Sequence, residues 1–288
     1  MQKMNNVVSF SGGRTSAYLV HLMEQKRKAG EIDNVHYVFM DTGAEHPKTY
    51  EFIRNCVEHF DIDLVCLRVN VNPTLGEANG YDVIPLSDCK PDLQPWRDIS
   101  QKYGTPHVHG AFCTQFMKTR PYYKYCDEQF GKGEYVSWLG IRVDEGSRLK
   151  QKDGTRYLAE ISPMEKHDIL GWWREQPFDL EIESEWLGNC VFCLKKGTNR
   201  IELARRSEPR MAMAFDAMLK NPDNRVAEGK KAPNEYIFRN TMSLEMIEKS
   251  YEGISTEQLM AGMRMQSGAC AESCEVFGCQ GDLFAEQK

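Results

Sequence analysis

Val7-Val8-Ser9-Phe10-Ser11-Gly12-Gly13-Arg14-Thr15-Ser16 is the stretch whose reading decides the fold. An apolar run ends in Ser-Gly-Gly, and a helical pattern of Ala17, Tyr18, Leu19, Val20, Leu22 and Met23 begins at once. A buried strand, a glycine turn and a helix N-terminus together make an anion site. Backbone N–H groups point outward there and the helix dipole favours negative charge. Gly12 and Gly13 let the backbone approach an oxyanion closely. Ser11, Thr15 and Ser16 add hydroxyl donors. A Walker A loop is excluded, because the Gly-Lys-Ser/Thr ending is missing.

Working outward, residues 5–10 read as a strand and 14–28 as a helix, closed by Lys26-Arg27-Lys28 and Gly30. A second strand at 35–40 runs into Asp41-Thr42-Gly43, and Pro47 opens a second helix. A third strand spans 64–69. This β-α-β-α-β order predicts an α/β fold with a doubly wound parallel sheet. Ligands bind such sheets at the carboxyl ends of strands, where Ser11 and Asp41 both fall. Residues 70–112 read as one long excursion, and 114–130 as a helix interrupted by Pro121. A fourth strand at 135–141 and a fifth at 157–163 follow, then a short helix at 167–176 in which Trp172 and Trp173 read as core. After 181 the alternation stops. Helices are predicted at 198–219, where Met211, Met213 and Met218 read as packing residues, and at 243–263, with a polar linker at 220–235. The domain reading is therefore an α/β nucleotide-binding domain over 1–180. A helical region with a cysteine-rich tail occupies 181–288.

The 288 residues carry a net charge of −6, which excludes a basic nucleic-acid binder as a whole molecule but leaves a local basic face open. No apolar run approaches 18 residues and no signal-peptide pattern opens the chain, so a cytoplasmic protein with no membrane partner is expected. In a reducing compartment, clustered cysteines among the ten present point to metal or redox chemistry rather than disulfides.

Three motifs together resemble the adenine-nucleotide α-hydrolase superfamily, and within it the phosphoadenylyl-sulfate (PAPS) reductase-like family. They are the strand–Ser-Gly-Gly–helix opening, Asp41-Thr42-Gly43, and Gly140-Ile141-Arg142-Val143-Asp144-Glu145-Gly146-Ser147-Arg148. The resemblance spans roughly residues 5–195. It implies a Rossmann-like, HUP-type sheet and a pyrophosphate grip formed by Ser9, Ser11, Gly12, Gly13, Arg14, Thr15 and Ser16. Asp41 and Thr42 would lie by the ribose or adenine, and Gly140 and Ile141 would offer backbone. Asp144 and Glu145 would hold Mg²⁺ against the phosphates of ATP. Arg142 and Arg148 would neutralise charge that develops in the transition state.

The second constellation is sulfur. Cys190-Val191-Phe192-Cys193 is a CxxC outside any thioredoxin-like context. Phe112-Cys113-Thr114-Gln115-Phe116-Met117-Lys118 resembles the Cys-Thr-x-x-x-Lys region of the same family, which implies a [4Fe–4S] cluster on Cys113, Cys190 and Cys193. The tail offers a fourth thiolate, with Cys270 as the first candidate. Cys274 and Cys279 are left to carry or resolve a persulfide as catalytic groups, with Lys118 and Arg142 beside them. Zinc is the alternative metal, with His107 or His109 as a further ligand. Cys56, Cys66, Cys89 and Cys126 read as ordinary buried thiols.

The resemblance supports two reactions. One is ATP-dependent sulfur insertion into an acceptor, with AMP and pyrophosphate as products. The other is thiol-dependent reduction of adenylyl-sulfate or phosphoadenylyl-sulfate to sulfite. The intact Ser-Gly-Gly loop and the Asp144-Glu145 pair favour the first. A non-catalytic nucleotide-binding subunit is the third alternative. The partners expected are an adenine nucleotide and a sulfur-donor protein or thiol reductant, with a nucleic-acid acceptor and a homo-oligomer left open. Two basic sets, Lys118, Arg120 and Lys124, and Lys195, Lys196, Arg200, Arg205, Arg206 and Arg210, read either as faces for an anionic substrate or nucleic-acid backbone or, at least as well, as solvated helix faces.

Overall fold

A computed structural model describes residues 4–106, 111–226 and 242–263. The sheet has six strands in the order β4-β3-β2-β1-β5-β6. They are β1 (Asn5–Ser9), β2 (Val35–Met40), β3 (Leu64–Asn70), β4 (Gly80–Ile84), β5 (Tyr135–Leu139) and β6 (Thr155–Tyr157). All neighbours are parallel except β3 and β4. The predicted doubly wound sheet is therefore present. The chain runs from β1 outward through β2 and β3, then returns to lay β5 against the other side of β1. The reversal opens a crevice between the carboxyl ends of β1 and β5, where ligands bind in such sheets.

Side-chain alternation in β1 builds both layers. Val8 packs with α1 (Arg14–Lys28), α2 (Pro47–Phe60) and α5 (Lys166–Arg174). Val7 faces the other way, onto Tyr122, Tyr125 and Cys126 of α4 (Arg120–Phe130). Both valines are fully buried, each contributing roughly 1.5–3 kcal/mol of transfer free energy. Pro47 starts α2 where its missing N–H is harmless, and the His46 ring nitrogen Nδ1 accepts from Lys48 N at 3.1 Å as the cap. The remaining helices are α3 (Gln94–Tyr103), α6 (Thr198–Ser207), α7 (Pro209–Leu219), α8 (Leu244–Ser250) and α9 (Thr256–Met263). A third apolar cluster joins Val69, Leu93 and Trp96 to Phe192, Phe215 and Ile247, so the helices after 181 pack against the β3 side of the sheet. Among the described residues no helix is long and apolar enough to cross a membrane.

Four local expectations change. The excursion at 70–112 contains β4 and α3. Their signals are weak because β4 is a largely exposed edge strand opened by Gly80, and α3 opens on Gln94-Pro95. The fifth strand lies earlier than 157–163, at Thr155–Tyr157, and a tight turn at Leu158–Glu160 follows it. Pro121 does not interrupt the helix over 114–130. It sits in the first turn of α4, after a π-turn at Gln115–Thr119. The helices at 198–219 and 243–263 each divide. Pro209 begins α7, and Gly253, at φ 77°, separates α8 from α9.

Glu24 on α1 is 3 % exposed and accepts from Arg27 at 2.6 and 2.9 Å and from the Tyr37 hydroxyl at 2.8 Å. Burial raises its pKa, but the bonds from Arg27 and Tyr37 and the charge of Arg27 outweigh it, leaving the carboxyl below its ordinary 4.5. A depressed native pKa stabilises the fold above the unfolded value, and that stabilisation is lost as pH falls through the native one. Glu24→Gln is therefore expected to flatten the acid limb of stability below about pH 4.5. Urea midpoints measured from pH 6 to 3 check this, and an unchanged acid limb would refute it.

Candidate functional site

The loop after β1 is preorganised by its own hydroxyls. Ser11 N donates to Ser16 Oγ at 3.2 Å, Ser16 Oγ donates to Gly13 O at 2.9 Å, and the two serine hydroxyls lie 2.9 Å apart. Gly12 has φ 80°, and a Cβ there would fall 2.8 Å from Thr49 Cγ2 and 2.9 Å from Ile53 Cδ1. Only glycine meets both the left-handed backbone and the close passage of α2. The first N–H groups of α1 have no intrahelical acceptor and stand at this loop. Ser9, Thr15 and Ser16 are buried behind it.

The loop after β5 closes the crevice from the other side. Arg142 Nη1 donates to Thr15 Oγ1 at 3.0 Å, which ties the two expected motifs together at the switch point. The same guanidinium holds Asp144 through Nε at 2.8 Å and Nη2 at 3.1 Å. Burial raises the Asp144 pKa, yet the hydrogen bonds and charge of Arg142 win and leave it depressed. Glu145 accepts from Arg148 and from Arg142 N at 3.1 Å. The two carboxylates expected to hold Mg²⁺ are thus each engaged by an arginine. Ile141 N donates to Leu139 O at 2.8 Å, and Ile141 O accepts from Ala159 N at 3.0 Å, so its backbone is used in shaping the loop. Gly140 is buried beside it.

Asp41, at the carboxyl end of β2, is enclosed by the protein's own side chains. It is fully buried, and its oxygens accept from Gly43 N and the Tyr50 hydroxyl, each at 2.8 Å, and from two nitrogens of Arg68. Burial raises its pKa, the charge of Glu45 adds to this, and Arg68 opposes both. Arg68 also reaches Asp92 Oδ2 at 3.0 Å. Thr42 Oγ1 donates to Glu45, whose oxygens lie 2.9 Å away, and stands 3.5 Å from Cys190 Sγ. Sequence reasoning missed Glu45, Tyr50, Arg68 and Asp92. Arg68 carried a signal, since a charge inside the apolar strand Leu-Val-Cys-Leu-Arg-Val requires a buried partner.

The CxxC segment docks on this same turn. Glu45 and Cys190 form an antiparallel bridge, and Val191 N donates to Ala44 O at 2.9 Å. Cys193 N closes a turn onto Cys190 O at 3.1 Å. The Cys190 thiol faces Glu45 Oε1 across 3.8 Å, and Lys118 Nζ lies 3.4 Å from the same oxygen. Burial pushes the Cys190 pKa well up and Glu45 adds to it, against the pull of Lys118. Lys118 comes from the π-turn that follows Cys113, so the two sulfur motifs converge. Cys113, Cys190 and Cys193 share one apolar cluster with Trp96, whose buried Nε1 has no acceptor among the described residues. The donors suit a thiolate-bound metal in kind. Even so, no three His, Cys, Asp or Glu side chains among the described residues are gathered as a metal site. Cys270, Cys274, Cys279, His107 and His109 lie outside the described residues.

Three of the six residues in the second basic set are engaged within the fold. Lys196 Nζ donates to the carbonyls of Trp186, Gly188 and Val191 at 2.6, 2.8 and 2.9 Å, pinning the segment that leads into CxxC. Arg205 and Arg206 both bond the buried Glu202. Arg14, expected at the phosphates, turns its guanidinium onto Asp179 instead, with Nε 2.7 Å from Oδ1 and Nη2 3.0 Å from Oδ2. Beside this pair a narrow cleft opens between Ser11-Gly12-Gly13 and Gly188-Asn189.

A glycine loop opening on a helix N-terminus, at the switch point of a parallel sheet, defines a protein of the doubly wound α/β class. Residues 5–78 match the model of the phosphoadenosine phosphosulfate reductase domain. The chain is 52 % identical over 288 residues to the uncharacterized nin region protein ORF290 of Escherichia phage lambda, covering 97 % of this chain and 98 % of that one. It is 27 % identical over 139 residues to the uncharacterized protein MJ0066 of Methanocaldococcus jannaschii, covering 48 % of this chain and 23 % of that one. The chain thus carries a domain of the PAPS reductase-like family of the adenine-nucleotide α-hydrolase superfamily, and over its whole length it belongs to one family with the phage protein.

Proposed function

We propose that the protein binds ATP at the Ser11–Ser16 loop and activates an acceptor for sulfur insertion, releasing pyrophosphate and then AMP. The observation that carries this reading is the docking of CxxC onto the Asp41–Glu45 turn, with Cys190 Sγ 3.5 Å from Thr42 Oγ1. Thiols and a nucleotide loop then serve one site. An acceptor oxygen would attack the α-phosphorus as the bond to the β-phosphate oxygen breaks and pyrophosphate leaves. A sulfur nucleophile would then displace AMP.

The roles follow from position. The α1 N-terminus and the Ser11 hydroxyl would take charge on the departing pyrophosphate. Arg142 would steady the opposite wall through Thr15. Mg²⁺ arriving with ATP would compete with Arg142 and Arg148 for Asp144 and Glu145. Lys118 and Glu45 would hold Cys190 in place. An iron–sulfur cluster, when bound, would take Cys113, Cys190 and Cys193, with Cys270 first among the tail candidates, and would supply an iron able to carry sulfur. Zinc on the same thiols is the alternative. Cys274 and Cys279 remain the candidates for a persulfide carrier.

The family match favours a second reading, thiol-driven release of sulfite from adenylyl-sulfate or its 3′-phosphate. One anaerobic preparation separates the two. Under the first reading, Mg-ATP binds and is cleaved to AMP and pyrophosphate once an acceptor is present. Arg142→Ala weakens turnover by about a hundredfold. The same sample carries about four irons per chain. Sulfite from adenylyl-sulfate and dithiothreitol, with no ATP binding, would replace the first reading by the second. One zinc and no iron would remove the cluster.

A further inference from the structure

The first basic set divides by what each cation touches. Lys118, just before α4, is buried and turned onto Glu45, so it does not share the outer surface. Arg120 and Lys124 are exposed and stand one helical turn apart on one face of α4. Neither has a carboxylate partner among the described residues. Tyr123 shares their face. Asp127 and Glu128, the next carboxylates on α4, accept from the hydroxyls of Tyr135 and Tyr81 at 2.9 and 2.6 Å.

Rings alternate with the cations here. Arg120 Cζ lies 4.7 Å from the ring centroid of Phe116, Lys152 Nζ 5.4 Å from that of Tyr123, and Lys102 Nζ 5.0 Å from that of Tyr103. These are the three cation–ring contacts between described residues, and all fall along this one strip. Phe116 and Tyr103 stack in parallel at 4.4 Å, which joins the end of α3 to the π-turn before α4. Lys102 is buried and donates to Glu77 O and Asn79 Oδ1 at 2.7 and 2.9 Å, so the exposed cations are Arg120, Lys124 and Lys152. Lys152 also donates to the Tyr123 hydroxyl at 3.0 Å. The strip runs between the two motifs of the site. At one end Lys152 follows Arg148 in the segment after β5, and at the other Phe116 follows Cys113.

We propose that this outer face of α4, from Lys152 to Arg120, docks a single-stranded nucleic acid, and that this strand is the acceptor of the sulfur. On a chain of net charge −6 the strip is a local basic face. Cations alone suit any polyanion, because they trade bound counterions for phosphates or carboxylates. Cations interleaved with rings suit a polyanion whose charges alternate with flat faces. Phosphates meet Lys124 and Lys152, and a base stacks on the solvent side of the Arg120 guanidinium that Phe116 backs. An acidic peptide has no such flat faces to offer. The assignment rests on the sulfur-insertion reading and deepens it by naming the class of acceptor.

Fluorescence anisotropy of the full chain with a labelled DNA single strand of mixed sequence, and with inorganic polyphosphate as competitor, tests this. Arg120→Gln with Lys124→Gln is expected to weaken the strand about tenfold and to lower the slope of log affinity against log salt by roughly 1.4. Lys220→Gln with Lys249→Gln removes the same charge from exposed positions elsewhere and is expected to change affinity by about twofold at most. Arg120→Lys keeps the charge and loses the flat guanidinium. It is expected to weaken the strand about fivefold and to leave competition by polyphosphate unchanged. The proposal falls if wild type does not bind the strand at low salt, or if the α4 double variant binds it like wild type. It also falls if the Lys220 and Lys249 control loses as much, or if Arg120→Lys binds the strand as wild type does. No ATP enters these titrations. A strand that binds through α4 to a protein unable to cleave ATP would sink the sulfur-insertion reading and leave the docking face standing, and the reverse result would sink the face alone.

Discussion

Gly12→Val is expected to destabilise the protein by about 3 kcal/mol and to remove nucleotide binding. Two penalties add. A β-branched residue at φ 80° is strained by roughly 1–2 kcal/mol. Its Cβ also arrives 2.8 Å from Thr49 Cγ2 and 2.9 Å from Ile53 Cδ1, so α2 must move. Overpacking of this kind costs about 1–3 kcal/mol. Moving α2 also shifts Thr49, which lines the cleft, and disturbs the loop that Ser11 and Ser16 hold together. Gly12→Ala is expected to fall between wild type and valine. Urea unfolding and an ATP titration measure both effects. A valine variant with wild-type midpoint and affinity would show that the loop has no need of glycine.

Asp41→Ala is expected to cost about 3 kcal/mol or more. The substitution leaves Arg68 partly buried with Asp92 alone and takes an acceptor from the Tyr50 hydroxyl and from Gly43 N. Breaking one side of a buried pair is worse than losing the pair, because the remaining charge keeps its desolvation cost. Asp41→Asn keeps one carbonyl acceptor and is expected to cost less. The turn that Asp41 braces also receives the CxxC segment, so the alanine variant is further expected to react faster with a thiol reagent at Cys190. Equal stability of alanine variant and wild type would exclude the bracing role.

Much of this protein was legible from local patterns. The β-α-β-α-β order, the anion loop, and the placement of Asp41 and Arg142 at carboxyl ends of strands all follow from near-neighbour physics. Hydrophobic period distinguishes strand from helix over a few residues, and glycine with proline marks the breaks. The excursion at 70–112 was illegible for the same reason. An exposed edge strand has little burial pattern to read, and a helix starting on Gln94-Pro95 has little entry signal.

The site shows the same division. The family resemblance implied that Asp144 and Glu145 hold Mg²⁺, and in the structure each also accepts from an arginine two or three positions away. The second basic set read as a solvated or substrate-facing run, yet Lys196 reaches three backbone carbonyls and Glu202 takes two of the arginines. A charged side chain reveals in sequence that it needs a partner, but not which one.

The opening stretch by itself determined that β1 ends in a glycine turn from which α1 begins, because that junction is made of backbone and near neighbours. Only the tertiary structure decided what surrounds that loop. Arg14 meets Asp179 across 165 positions, Thr15 meets Arg142 across 127, and Glu45 meets Cys190 across 145. Each pairing depends on the sheet reversing direction at β1 and on the chain after β6 crossing back over the loop. Short-range propensity carries no information about which distant groups such a crossing brings within hydrogen-bond reach.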